Sequence, residues 1–221
     1  MRVSSLVTDD RDVLLTNDVV QIRQISVSSM DNNVYLVTCA KTGAQALIDA
    51  ADDPERVERL IEGAGTGGLN ALITTHRHWD HHRALAQVAT STEAHTYAGA
   101  ADADHLPLAP DTVLEHDDSV LIGHLRLSVI SLRGHTPGSI AVALLDSGPD
   151  GAALLFTGDS LFPGGPGKTD SHEDFTSLMD DLTHRVFGEY SDSALVLPGH
   201  GDGTSLGEER GQLEQWRQRG W

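Results

Sequence analysis

The stretch that most restricts what this chain can become is Thr75-His76-Arg77-His78-Trp79-Asp80-His81-His82. It follows an apolar run, residues 69–74, that reads as a buried strand, and it precedes residues 84–88, which have helical spacing. The polar stretch therefore sits on a strand-to-helix loop. Loops at strand carboxyl ends are where α/β sheets place their chemistry. His76 and His78 are two residues apart, so an extended backbone points both imidazoles the same way. Asp80 and His81 come as the chain turns into the helix and can face a second, nearby point. Four metal-competent side chains within six residues are hard to explain by packing, because carboxylates and imidazoles are costly to crowd into a core. A histidine-rich surface loop is the bland alternative. The order and placement of the residues favour a metal loop.

At 221 residues the chain has room for a substantial core in one large domain or two small ones. No apolar run approaches the length needed to cross a bilayer. Residues 1–18 carry Asp9, Asp10, Asp12 and Asp18 and lack a continuous apolar stretch, so no signal peptide is expected and a cytoplasmic location is the default. The formal net charge of -18 repels phosphate backbones and anionic lipid, so neither nucleic acid nor a membrane is an expected partner. The carboxylates Asp52-Asp53, Asp102, Asp104, Asp117-Asp118 and Asp180-Asp181 read as solvated faces and helix starts. Cys39 is the only cysteine, which excludes an intramolecular disulfide. It lies in a strand-like run and reads as a buried, inert thiol. Any metal must then be held by nitrogen and oxygen donors. A monomer and a homo-oligomer both remain open.

Strands are expected at residues 19–27, 34–39, 46–49, 69–74 and 94–97. Residues 112–115, 119–122 and 125–130 read as three antiparallel strands, followed by strands at 140–145, 153–156 and 194–197. Asp52-Asp53-Pro54 starts a helix with the stripe Val57, Leu60 and Ile61, ended by residues 63–68. A second helix spans roughly residues 172–187 and a short polar one closes the chain around 206–216. No internal repeat or linker is evident, so residues 1–221 are read as one domain.

Three further elements complete a pattern. They are Gly134-His135-Thr136-Pro137-Gly138-Ser139, Thr157-Gly158-Asp159-Ser160-Leu161-Phe162 and Pro198-Gly199-His200-Gly201. With the loop at residues 75–82 and the run from Asn33 to Val37, they resemble the ordered motifs of the metallo-β-lactamase superfamily, over most of the chain. The resemblance implies an α/β fold, the αββα sandwich of two mixed sheets with helices outside. It implies two divalent metal ions, with zinc expected and iron or manganese also compatible. His76, His78 and His135 would hold the first, Asp80, His81 and His200 the second, and Asp159 would bridge them, Asp80 acting in catalysis as well. The chemistry implied is hydrolysis through a shared, acidified water.

Asp159 sharpens the expectation, since a bridging carboxylate resembles the thioester hydrolases of the superfamily, of glyoxalase II type, rather than its β-lactam-cleaving branches. Lys168, in Gly167-Lys168, resembles their carboxylate-binding basic residue and is one of only two lysines in the chain. A small thioester or ester is the expected substrate. Because little chain follows His200, glutathione as the thiol carrier stays open. Gly167-Lys168-Thr169-Asp170 also resembles a stretch of the persulfide dioxygenases, which use one iron, and an acyl-lactone lactonase is a third possibility. Trp79 is expected to pack beneath the metal loop or to line the pocket wall, His82 to support the ligands or the helix start, and the remaining six histidines to be ordinary polar residues.

Overall fold

The computed structural model describes residues 12–65 and 67–220. Most of the segment on which the signal-peptide expectation rests, and Thr66 after the first helix, lie outside the described residues.

Two mixed sheets face each other. The first runs, in spatial order, β1 (Val13–Thr16), β2 (Val20–Val27), β3 (Asn32–Cys39), β4 (Gln45–Ile48), β5 (Leu69–Thr74), β6 (His95–Gly99) and β7 (Thr112–Leu114). The pairs from β1 to β4 are antiparallel and those from β4 to β7 are parallel. The second sheet contains β8 (Ser119–Ile122), β9 (Leu125–Ser131), β10 (Ile140–Leu144), β11 (Leu154–Gly158), β14 (Leu195–Pro198) and β15 (Thr204–Ser205). A two-stranded ribbon, β12 (Leu161–Phe162) with β13 (Gly165–Pro166), follows β11.

The hydrophobic pattern explains the layers. β3 is buried along its whole length because its side chains alternate between two cores. Tyr35, Val37 and Cys39 pack between the sheets with Ile48, Ile73, Val142 and Phe156, whereas Val34 and Leu36 pack outward beneath helices. Those helices are α1 (Pro54–Glu62), which buries Val57, Leu60 and Ile61, and α2 (Leu85–Thr92), which buries Leu85 and Val88. The second sheet is covered by α3 (His172–Asp181), its π-helical continuation Leu182–Phe187, and Trp216 near the chain end. The result is helix, sheet, sheet, helix, the αββα sandwich that the motifs implied. Removing a fully buried side chain such as Phe156 costs about 3–5 kcal/mol. Among the described residues no helix is long and apolar enough to cross a membrane.

Local sequence sets the helix starts. The Asp53 carboxylate accepts the Arg56 N–H at 3.2 Å with Pro54 following, and the Ser171 hydroxyl accepts the Asp174 N–H at 3.0 Å.

Three expectations need correction. β7 pairs in parallel with β6 at the edge of the first sheet, not with β8 and β9. The chain crosses to the other sheet after β7, and periodicity does not reveal which sheet a strand joins. Asp102 and Asp181 are buried, not solvated. Asp181 receives Arg133 through Nε at 2.8 Å and Nη2 at 2.7 Å, and each burial is balanced by hydrogen bonds. Trp79 is 58% exposed and stacks on the Arg83 guanidinium, 3.7 Å from the ring centroid, instead of packing under its loop.

Candidate metal centre

The loops after β5, β9, β11 and β14 meet at one edge of the sandwich. All seven candidate metal ligands converge there. His76, His78 and His135 form one triad, Asp80, His81 and His200 a second, and His76, His81 and Asp159 a third that lies across both, with donor atoms in each within 4.8 Å of one another.

The ring orientations are set by what each imidazole does on its far side. His81 Nδ1 is 2.9 Å from Asp49 Oδ2, His135 Nδ1 is 2.7 Å from the Lys168 carbonyl, and His200 Nδ1 is 2.8 Å from the Met30 carbonyl. Carbonyl and carboxylate oxygens only accept, so these Nδ1 atoms carry the proton. His76 Nδ1 is 3.0 Å from Thr75 Oγ1, whose own hydrogen goes to Asp49 Oδ2 at 2.8 Å. Each of these four rings, when neutral, turns the lone pair of Nε2 inward. His78 faces inward through Nδ1.

Inward nitrogens consequently confront each other. His76 Nε2 lies 3.1 Å from His78 Nδ1, which lies 2.9 Å from His135 Nε2, and His81 Nε2 lies 3.1 Å from His200 Nε2. Facing lone pairs repel unless a proton or cation sits between them. Two nitrogens at about 2.0–2.1 Å from one zinc at tetrahedral angles would be about 3.3 Å apart, close to these spacings. Asp159 adds a second sign. Its Oδ1 is buried with no hydrogen-bond partner, 3.4 Å from His81 Nε2, and its Oδ2 lies 3.4 Å from His200 Nε2 and 3.7 Å from His135 Nε2. A buried carboxylate oxygen without a donor is rare, and a cation shared with the facing imidazoles would satisfy it. This donor set, five imidazoles and two carboxylates, fits a pair of divalent ions.

Protons fill part of that role in the metal-free chain. Burial works against protonation of His81, but the Asp49 and Asp159 carboxylates overcome it and push its pKa up to about 10. His200 moves up for a related reason, burial being outweighed by Asp159. Burial, and then the charge on His81, holds His76 well below the ordinary histidine value. Burial and His135 lower His78. Burial opposes ionisation of Asp159, yet the imidazoles of His200 and His81 hold its carboxyl far below the carboxylate range. Asp80 is likewise held down against its burial, chiefly by the amide of Asn32 and by His81.

Sequence reasoning missed the residues that aim the donors. Asp49 follows β4 with a left-handed φ of 58° and accepts the Thr75 N–H at 2.8 Å as well as the two side-chain bonds above. Its signal was a lone acid between the apolar run 46–48 and Ala50-Ala51. Asn32, fully buried, donates through Nδ2 to the Asp80 carbonyl at 3.1 Å and to Asp80 Oδ2 at 3.0 Å. His82 Nε2 lies 3.0 Å from the Arg77 carbonyl of the same loop. Lys168 has an exposed side chain, and its backbone carbonyl holds His135. Of the other histidines, His95, His105, His124, His172 and His184 are exposed and His116 is half-buried. Cys39 is buried beside the N–H of His124.

Comparison with known proteins places this geometry. A family model described as the metallo-beta-lactamase superfamily matches residues 30–200. A hydroxyacylglutathione hydrolase from Rhodospirillum rubrum is 38% identical over 149 residues, covering 66% of this chain and 54% of that protein. The chain spans about half the length of the curated relatives it matches. Among solved structures, ETHE1 from Myxococcus xanthus superposes with a TM-score of 0.75 at 29% identity, covering 89% of this chain and 84% of that one. TTHA1623, solved in a di-iron-bound form, superposes with a TM-score of 0.69 at 29% identity, covering 85% and 96%. The family match takes in every cluster residue from His76 to His200, and the chain belongs to the metallo-beta-lactamase superfamily.

Proposed function

We propose that the chain is a metal-dependent hydrolase that cleaves a small thioester, or a closely related small ester, to an acid and a thiol or alcohol. The observation that carries this reading is the meeting of seven donors around the unpartnered Oδ1 of Asp159. His76, His78 and His135 would hold one divalent ion, Asp80, His81 and His200 the other, and Asp159 would be shared. Zinc is the expected metal. The di-iron form of TTHA1623 supports iron as a compatible choice. When bound, the ions supply a water acidified towards neutral pH and positive charge for the developing oxyanion.

The chain's own residues do the rest. Asp49, Thr75 and Asn32 fix the donors before substrate arrives, so little reorganisation is needed during the reaction. Asp80, whose carboxyl is held below the ordinary carboxylate range by Asn32 and His81, would supply negative charge to the second ion. The Phe162 ring, its centroid 6.5 Å from that of His200, gives the site an apolar wall. Lys168 is exposed and its own carbonyl holds His135, which keeps the residue beside the site; its ammonium is the group proposed to anchor a carboxylate of the thiol carrier.

The names of the curated relatives make a glutathione thioester the first substrate to try. Because the chain spans only about half their length, other small thiols belong in the same panel. The test is thiol release from S-lactoylglutathione and from thioesters of uncharged thiols. Release should stop on chelation and return with added metal. A fully metallated protein that releases no thiol from any of them would contradict the reading. Oxygen consumption on persulfide substrates would move the chain to the one-iron oxygenase alternative.

A further inference from the structure

Asp102 lies on the 3-10 turn Ala100–His105 after β6 and is 1% exposed. Its Oδ2 accepts the Arg77 N–H at 3.0 Å and the Thr136 hydroxyl, and its Oδ1 accepts the Gly138 N–H at 2.9 Å. Arg77 separates His76 from His78, and Thr136 follows His135. One buried carboxylate thus joins the loop bearing two members of a triad to the loop bearing the third.

The placement matters because the two loops belong to different sheets. His76 and His78 follow β5 of the first sheet, while His135 follows β9 of the second. Neither sheet's hydrogen-bond ladder fixes the distance between them. One backbone bond, Ile140 N–H to the Thr75 carbonyl at 2.9 Å, ties the loops, and Asp102 supplies the side-chain tie. Glycines permit the close approach. A Cβ on Gly138 would stand 2.3 Å from the Asp102 nitrogen, and one on Gly99 would stand 2.0 Å from the Gly138 carbonyl oxygen.

We propose that Asp102 is a positioning residue that sets the separation of His76 and His78 from His135, and thereby the affinity of the first ion site relative to the second. The inference rests on the metal assignment proposed above. An asparagine in its place fills the same volume but has one accepting oxygen. Whichever way the amide turns, either Gly138 N–H or the Arg77 and Thr136 donors face an NH2 group.

The test measures zinc affinity by chelator competition in two backgrounds, each leaving one triad intact. With His200→Ala, Asp102→Asn should weaken the remaining first site about tenfold or more, the lower end of the range for outer partners of metal ligands. With His78→Ala, the same change should leave the second site within about threefold. Equal losses in both backgrounds would mean general damage to the fold and would overturn the proposal, as would no loss in either. If the asparagine variant fails to fold, Thr136→Val, which keeps the Asp102 carboxylate and removes the Thr136 hydroxyl's bonds to Asp102 and Ser139, should show the same selectivity with a smaller loss; no selectivity there would also overturn it. Wild-type protein binding less than two ions, or two ions retained after His78→Ala, would instead sink the metal assignment and carry Asp102's role with it.

Discussion

Replacing Asp49 by asparagine probes how the donors are held. The carboxylate is 2% exposed and accepts three bonds, from Thr75 N–H and Thr75 Oγ1 at 2.8 Å each and from His81 Nδ1 at 2.9 Å. The amide has one oxygen. If that oxygen occupies the Oδ2 position, the NH2 group faces Thr75 N–H; if it occupies the Oδ1 position, the NH2 group faces His81 Nδ1–H. At least one buried donor is left unpaired in either case, at a cost of about 1–3 kcal/mol. For a chain of this size that corresponds to a fall in melting temperature of about 2–12 °C in the metal-free protein. In the second case His81 loses the acceptor that fixes its ring, and in the first it keeps only a neutral one, so zinc affinity should fall by about 10–100-fold. Thermal melts followed by circular dichroism and zinc competition with a chelator read the two effects separately. A variant that melts with the wild type and binds zinc equally well would refute the reasoning that Asp49 aims these groups.

Asp159→Ala should cost more than one ion's worth of zinc, because both triads lose the shared carboxylate; a variant still holding a full metal complement would remove Asp159 from its bridging place. Lys168→Ala keeps the carbonyl that holds His135, so it should raise KM for a thioester whose thiol carries a carboxylate, by one to two decades at most, and leave kcat and neutral substrates nearly unchanged. Equal losses on charged and neutral substrates would end the anchoring role. The pH dependence follows from His81, whose pKa is raised from about 6.5 to about 10. Its contribution to the metal-free fold is full below about pH 6.5 and is lost as pH rises towards 10. Zinc must displace that proton, so zinc affinity should rise across the same interval, and calorimetry near neutral pH in buffers of different ionisation enthalpy should register proton release. Uptake without proton release would contradict the charged state of His81.

Four candidate donors, His76, His78, Asp80 and His81, were legible because their spacing on the strand-to-helix loop has a coordination logic; His135, Asp159 and His200 stood out only through the resemblance of their short motifs to the superfamily. The groups that aim them were not legible. Asp49 looked like the polar end of a strand, Asn32 like a loop residue, and Asp102 like one of many surface acids. Burial of a carboxylate depends on donors from distant segments, Arg77 and Thr136 for Asp102, and no local pattern announces that meeting. Strands were legible where apolar residues ran or alternated, as in β2, β3 and β5. The short β1, β12, β13 and β15 carry too few residues for periodicity to register. The assignment of β7 failed for another reason: alternation identifies a strand but not the neighbour it will pair with. Packing of Trp79 beneath its loop failed because size implied burial, whereas Arg83 offers its ring a stacking partner at the surface.

The most direct test of the account is metal content per chain in protein purified without added metal, measured together with thiol release from a thioester panel. The account predicts two divalent ions per chain, one for each triad, with hydrolysis that is lost and regained as the ions are removed and restored. A single iron per chain, with oxygen consumed and no thioester cleaved, would contradict it.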